Sequence, residues 1–280
     1  MTTKTRAAGR AGSLVTHGLL IVFALLAIAP ILVIVVNSFK TTPGIFNEPF
    51  ALPNSETFSL AGYDRVFNRG DFVLNYRNSL IVTVGSTVLT LVLATLAAFA
   101  LTEYKVRFAP VVGGFFVLGI MLPIRLGTVP IIKTMISWQL MDTLVALILV
   151  YTAMSLPLAI ALLMTYFKAV PAAVKEAARI DGAGELQTLS IVLPMVRPGL
   201  AAVASVTMLP IWNDLWFPLI LAPGRANQTV TLGVQQFVGQ FLNDYPALLG
   251  ALTLGAVPLV VLFVVFSRQF VQGLSQGIGK

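Results

Sequence analysis

The sequence predicts an all-α, polytopic membrane protein, and three observations carry that expectation. Apolar residues make up 57% of the 280 and charged residues only 10%, against roughly 45–50% and about 25% in a soluble domain. Mean hydropathy is +0.90, which leaves too little polar surface to coat a water-soluble globule and excludes a disordered chain. Uncharged apolar runs also recur along the chain, each near the ~20 residues that a helix needs to cross the hydrocarbon core. We expect six transmembrane helices forming one domain over residues 1–280.

The first run, 18–36, contains Pro30 and follows Lys4, Arg6 and Arg10. It is too long for the apolar part of a signal peptide, and no small-residue cleavage site closes it, so it reads as a retained helix. Segment 40–78, rich in Gly, Pro, Asn and aromatic residues, is expected to pack as a short structured cap. Spans follow at 80–101, 111–132 and 144–167. A long polar connection, 168–199, precedes the last two, 200–221 and 248–266. Each run is bounded by charge, Gly/Pro or both.

Six spans put both termini on one side, and positive charge selects the cytoplasm. With a cytoplasmic N-terminus, the cytoplasmic segments hold eleven Lys/Arg against four Asp/Glu, and the external segments hold six of each. The formal +7 charge therefore lies on one side, which accounts for the pI near 9.9 without a nucleic-acid partner. No basic run of five occurs. Cysteine is absent, so there is no disulfide framework, thiolate metal site or thiolate nucleophile.

The connection 168–199 carries the strongest signal, because loops of this length usually serve a function. Pro171 suits a first helical position, and Ala172, Ala173, Ala177 and Ala178 favour helix. Gly182 and Gly184 stop it and permit a sharp turn. A second helix over about 185–192 ends at Pro194. In the first helix Val174, Ala177, Ala178 and Ile180 lie toward one side, with Lys175, Arg179 and Asp181 toward another. On physics alone this is either an interfacial helix lying on lipid headgroups or a rigid helix–turn–helix presented to a cytoplasmic partner.

Glu176-Ala177-Ala178, then Gly182, then Ile191-x-Leu193-Pro194 resembles the EAA loop of ABC-importer permeases. Trp212-Asn213-Asp214, Asn75-x-x-Asn78-Ser79 and the Leu122-Pro123 break are similar to the carbohydrate-uptake branch related to the maltose permeases. Eight residues separate Gly182 from Ile191, one fewer than that pattern's usual nine. A deletion of one residue turns the second helix by about 100° unless the turn absorbs it.

The resemblance implies a mechanism and an assembly. The loop would dock into a cleft on a separate ATPase, with Glu176 as polar anchor, Ala177 and Ala178 allowing close approach, Gly182 making the turn and Asp181 beside it. The expected partners are a second homologous permease forming a heterodimer, two ATPase subunits, an extracytoplasmic substrate-binding protein, membrane lipid and a sugar. The location implied is the bacterial cytoplasmic (inner) membrane.

The chain itself lacks a phosphate-cradling G-x-x-x-x-G-K-[ST] loop. Its only Gly-Lys, Gly279-Lys280, has Leu274 at the first glycine position and no following Ser/Thr. No cofactor is expected on this chain; ATP and Mg would be used by the partner ATPase. His17 is the only histidine, and neither a metal cluster nor a Ser/His/Asp constellation assembles, so an enzyme is not expected.

Ionisable residues inside spans mark cavities or partners. Arg125, between Pro123 and Pro130, implies a broken third span; it either snorkels to the interface, lines the path, pairs with Asp214 or meets an anionic group on substrate. In the fifth span Trp212 and Trp216, four apart, share a helical face beside Asn213 and Asp214. Rings with amide and carboxylate neighbours suit a sugar, although interfacial anchoring also explains tryptophan. The expected function is an ATP-driven sugar importer subunit. The alternatives are the same assembly carrying an anionic sugar or phosphate ester, or an ion-coupled secondary transporter.

Overall fold

The computed structural model describes residues 3–69, 71–104, 109–121, 124–239 and 243–278, which are helical throughout apart from connecting turns and two isolated β-bridges. The helices are α1 (Thr3–Asn37), α2 (Thr42–Asn47), α3 (Ala61–Arg69), α4 (Phe72–Glu103), α5 (Ala109–Met121), α6 (Thr128–Ser137), α7 (Leu144–Lys168), α8 (Ala172–Ile180), α9 (Glu185–Val192), α10 (Arg197–Asn213), α11 (Trp216–Leu221), α12 (Val230–Val234) and α13 (Tyr245–Ile278). Three of the described helices are long and apolar enough to cross a membrane, at Thr16–Asn37, α4 and α7, and α5/α6 and α9/α10 form bent apolar pairs.

The chain divides into two compact units. One comprises residues 1–70 and 234–254. Residues 16–32 of its α1 are exposed on every side, as expected of a helix whose apolar surface meets lipid or another subunit. Beyond α1 the chain is tied down by buried polar side chains. Asn37 Nδ2 donates to the Pro49 carbonyl at 2.7 Å, and the fully buried Lys40 donates to the Glu48 carbonyl at 2.7 Å. Ser38 and Tyr63 share a hydroxyl bond of 2.7 Å, and Arg65 Nη2 donates to Asp244 Oδ1 at 2.8 Å. These bonds account for the structured cap expected after the first apolar run.

The second unit comprises 71–233 and 255–280, and its centre is the α4–α7 pair. The buried stripe of α4 includes Asn75, Asn78, Ser79, Val82, Thr83, Ser86, Thr90, Ala94 and Ala98, at steps of one, three or four that keep them on one helical face. Small and weakly polar residues let helix backbones approach in a membrane, where lipid is as apolar as leucine. Thr152 of α7 donates to its own helix at Ile148 and lies 3.4 Å from the Ser86 carbonyl of α4. Toward the ends of α4 and α7, Phe99 and Phe167 meet edge-on amid Ala159, Ile160 and Leu163.

Helix borders depart from the apolar runs where polar groups find internal partners. α4 begins at Phe72, before the run at 80, because Asn75, Asn78 and Ser79 are buried rather than in a loop. The run 111–132 is divided into α5 and α6, whose axes differ by 91°; Leu122 and Pro123 lie outside the described residues. The run 200–221 is likewise interrupted, with α10 ending at Asn213 and Asp214 extended at φ −72°, ψ 134°. Pro210 and Pro218 each remove a helical donor around this break.

Candidate functional site

The segment after α7 folds as the local sequence dictates. Pro171 stands at the N-cap of α8. At its other end Gly182 adopts φ +82°, its N–H meets the Arg179 carbonyl at 3.1 Å, and the Ala183 N–H meets the Ala178 carbonyl at 2.9 Å. This bond pair is the Schellman termination, which needs a left-handed residue after the cap and so favours glycine. α9 then starts with the Gly184 N–H on Gln187 Oε1 at 2.8 Å. The result is a stiff helix–turn–helix.

Its faces differ from the amphipathic reading. Lys175 and Ala178 are buried, whereas Glu176, Ala177, Asp181 and Gly182 are exposed and Ile180 is 85% exposed. The inversion has an electrostatic cause: Glu103, at the last turn of α4, supplies a counter-charge that lets Lys175 turn inward. Lys175 Nζ pairs with Glu103 Oε1 and lies 3.4 Å from the Phe167 carbonyl, near the end of α7. Arg179 reaches Glu103 Oε2 at 3.1 Å and Glu185 Oε2 at 3.4 Å. The bond to Glu185 first, then that to Glu103, raises the Arg179 pKa above its ordinary value.

The outer face therefore presents Glu176, Ala177 and Ile180 before the turn and Leu186, 75% exposed, after it. Ile180 and Leu186 thus put apolar side chains on the outer face of the hairpin rather than in its core. Sequence reasoning singled out neither Ile180 nor Leu186 as a partner contact, and missed Glu103. A carboxylate at a helix C-terminus opposes the helix dipole, which was the available signal that Glu103 has specific partners.

A second cluster surrounds the two helix breaks. Arg125 sits in the 3-10 turn Ile124–Gly127, exposed, its guanidinium carbon 5.5 Å from the Trp216 ring centroid. Trp216 Nε1 donates to Thr128 Oγ1 at 3.1 Å, and that hydroxyl donates to the Arg125 carbonyl at 2.7 Å. Asp214 is engaged elsewhere: its Oδ2 accepts from Tyr151 at 2.8 Å and from the Phe217 N–H at 3.0 Å.

The structure thus brings Arg125 to Trp216 and separates Trp212 from Trp216. Trp212 is 3% exposed, bonded to the Gly255 carbonyl at 3.0 Å and edge-on to Tyr76. The shared helical face expected for the two tryptophans is lost because the helix stops between them. Asn213 is exposed and bonds to its own helix at Leu209, 3.0 Å. No cluster of metal-ligating residues occurs among the described residues.

A third arrangement was invisible in the sequence. Asn78 Nδ2 donates to the Ala226 and Gln228 carbonyls at 2.9 and 3.0 Å, and Ser79 accepts from the Val230 N–H at 2.8 Å. Asp142 Oδ1 accepts from the Gly224 N–H at 2.8 Å. The N-terminal turns of α4 thereby clasp the loop 224–233.

Comparison with known proteins gives consistent matches. Residues 90–278 match the family of binding-protein-dependent transport system inner membrane components. The diacetylchitobiose uptake system permease protein NgcG of Streptomyces coelicolor is 31% identical over 266 residues, 94% of this chain and 87% of that protein. The multiple sugar-binding transport system permease protein MsmG of Streptococcus mutans is 31% identical over 94% of this chain and 95% of its own length. In fold, the chain superposes with a TM-score of 0.82 at 23% identity on a bacterial ABC transporter involved in the import of the acidic polysaccharide alginate, covering 94% and 98% of the two chains.

Proposed function

We propose a function on one premise: the chain belongs to the family of binding-protein-dependent transport system inner membrane components. It is a permease subunit of an ATP-driven importer, coupled to a separate ATPase, and its cargo is a sugar. The sugar is supported by the diacetylchitobiose and multiple-sugar permeases it resembles over nearly its whole length. The observation that carries the coupling role is the rigid α8–Gly182–α9 hairpin. It buries Lys175 against the permease and turns Glu176, Ala177, Ile180, Asp181 and Leu186 outward, with Ala178 packed beneath.

In this reading the chain spans the bacterial inner membrane six times with both termini and the hairpin in the cytoplasm, an orientation supported by the +7 charge of those segments. It forms half of the path beside a second permease, with two ATPase subunits inside and a substrate-binding protein outside. ATP and Mg act on the ATPase. Arg125 and Trp216 line the path. Trp212 and Asp214 support it by packing and hydrogen bonding, and Asn213 is exposed beside them.

A second reading, an anionic sugar as cargo, is favoured by Arg125, whose guanidinium rests on a half-exposed ring and forms no ion pair with Asp214. The test of function is uptake by the reconstituted assembly. It should require ATP and the ATPase, and Glu176→Lys should release the ATPase from a folded permease. Uptake driven by an ion gradient alone would overturn the importer.

A further inference from the structure

The hairpin has covalent links to α7 and, through α9, to α10, but none to α4. We propose that Glu103 is the positioning residue that makes α4 a driven helix, locking it to α8 so that movement of the hairpin is carried along α4 to the clasped loop 224–233. This rests on the coupling role proposed above.

Three observations support it. The Glu103 side chain is 6% exposed and the Lys175 side chain 10% exposed, so the pair is shielded from water. A shielded ion pair holds its geometry because separating the charges leaves each one uncompensated. Lys175 also lies against the Phe167 carbonyl, so one ammonium ties the C-terminal ends of α4 and α7 to α8, where the helix dipoles favour a cation. Arg179 adds a second tether from the other Glu103 oxygen and extends it to Glu185 on α9.

From this joint α4 runs as one uninterrupted helix of 32 residues without proline, roughly 48 Å at 1.5 Å per residue. Its far end holds loop 224–233 through Asn78 and Ser79. A stiff element bonded at both ends is a contiguous route of the kind that can carry coupling between distant sites.

The experiment exploits the absence of cysteine. Val73→Cys, on the exposed side of α4 near its start, is nitroxide-labelled in the full transporter assembled with cysteine-free partners, and its spectrum is followed on trapping with MgATP and vanadate. The label should respond when Glu103 is present. Glu103→Gln, and independently Lys175→Met, should reduce the response by at least about fivefold, the low end of typical coupling factors, while the ATPase stays bound and hydrolyses ATP. Glu103→Asp, which keeps the charge, should restore most of it.

A full response in either Glu103→Gln or Lys175→Met overturns the joint, and so does a silent label in the Val73→Cys parent with the ATPase bound. Failure of the ATPase to associate with the parent at all would instead overturn the coupling role on which the inference rests.

Discussion

Tyr151 donates its phenolic hydrogen to Asp214 Oδ2 at 2.8 Å, joining the buried face of α7 to the break between α10 and α11. The same carboxylate oxygen also accepts the Phe217 N–H and so braces that break. Tyr151→Phe removes the hydroxyl donor from a buried site. It should destabilise the permease by about 1.5–3 kcal/mol, as for hydrogen bonds to charged groups, read as a lower thermal midpoint of the purified assembly. An unchanged midpoint would return Asp214 to the substrate path.

Asn78→Ala should open the clasp. Two bonds to Ala226 and Gln228 are lost from a fully buried side chain, leaving those carbonyls short of partners at about 1–3 kcal/mol each at most. The exposed Arg225 lies in the released loop. Trypsin should cut there faster in the variant than in the wild type, and equal rates would show that the loop is held by other contacts.

Two glycines should fail in different ways. Gly182 has φ +82° and open space where a β-carbon would stand, so Gly182→Ala meets only backbone strain, about 1–2 kcal/mol. It should weaken ATPase retention more than permease stability, with Gly182→Asn milder because asparagine tolerates left-handed backbone. At Gly224 a β-carbon would fall 2.1 Å from Asp142 Oδ2. Gly224→Ala should lower the thermal midpoint and leave ATPase retention intact. Co-purification and thermal denaturation, measured on the same samples, separate the two.

Ile180→Asp and Leu186→Asp alter side chains that are 85% and 75% exposed. Such surface changes should leave the permease within about 0.5 kcal/mol of wild type yet strip it of ATPase during purification. Normal retention would move the docking surface away from the turn.

Arg125→Ala removes the cation from the Trp216 face, an interaction worth about 0.5–1 kcal/mol where exposed. Tryptophan emission should shift, and uptake of an anionic sugar should fall more than uptake of a neutral one. Equal losses would make Arg125 a support for Trp216 rather than a contact for charge.

Composition and apolar runs were enough to read the membrane class, and the glycines and alanines of 171–184 the helix–turn–helix. What escaped was where polar residues turn inward. Asn75, Asn78 and Ser79 read as a loop because hydropathy prices them as solvated, yet each is paired or packed inside α4's buried face. Lys175 read as a polar-face residue because its counter-ion, Glu103, is 72 positions away. Trp212 and Trp216 read as one face because helical spacing assumes continuity, which Asp214 ends.

The Glu103–Lys175 contact also sets how the machine tolerates electrolyte. Mobile ions weaken charge pairs they can surround, and they cannot surround a carboxylate that is 6% exposed, whereas the Arg179–Glu185 bond, 39% and 47% exposed, lies open to them. Rising salt should therefore loosen the hairpin's own brace before its hold on α4, so the proposed joint to α4 persists while the hairpin grows more compliant.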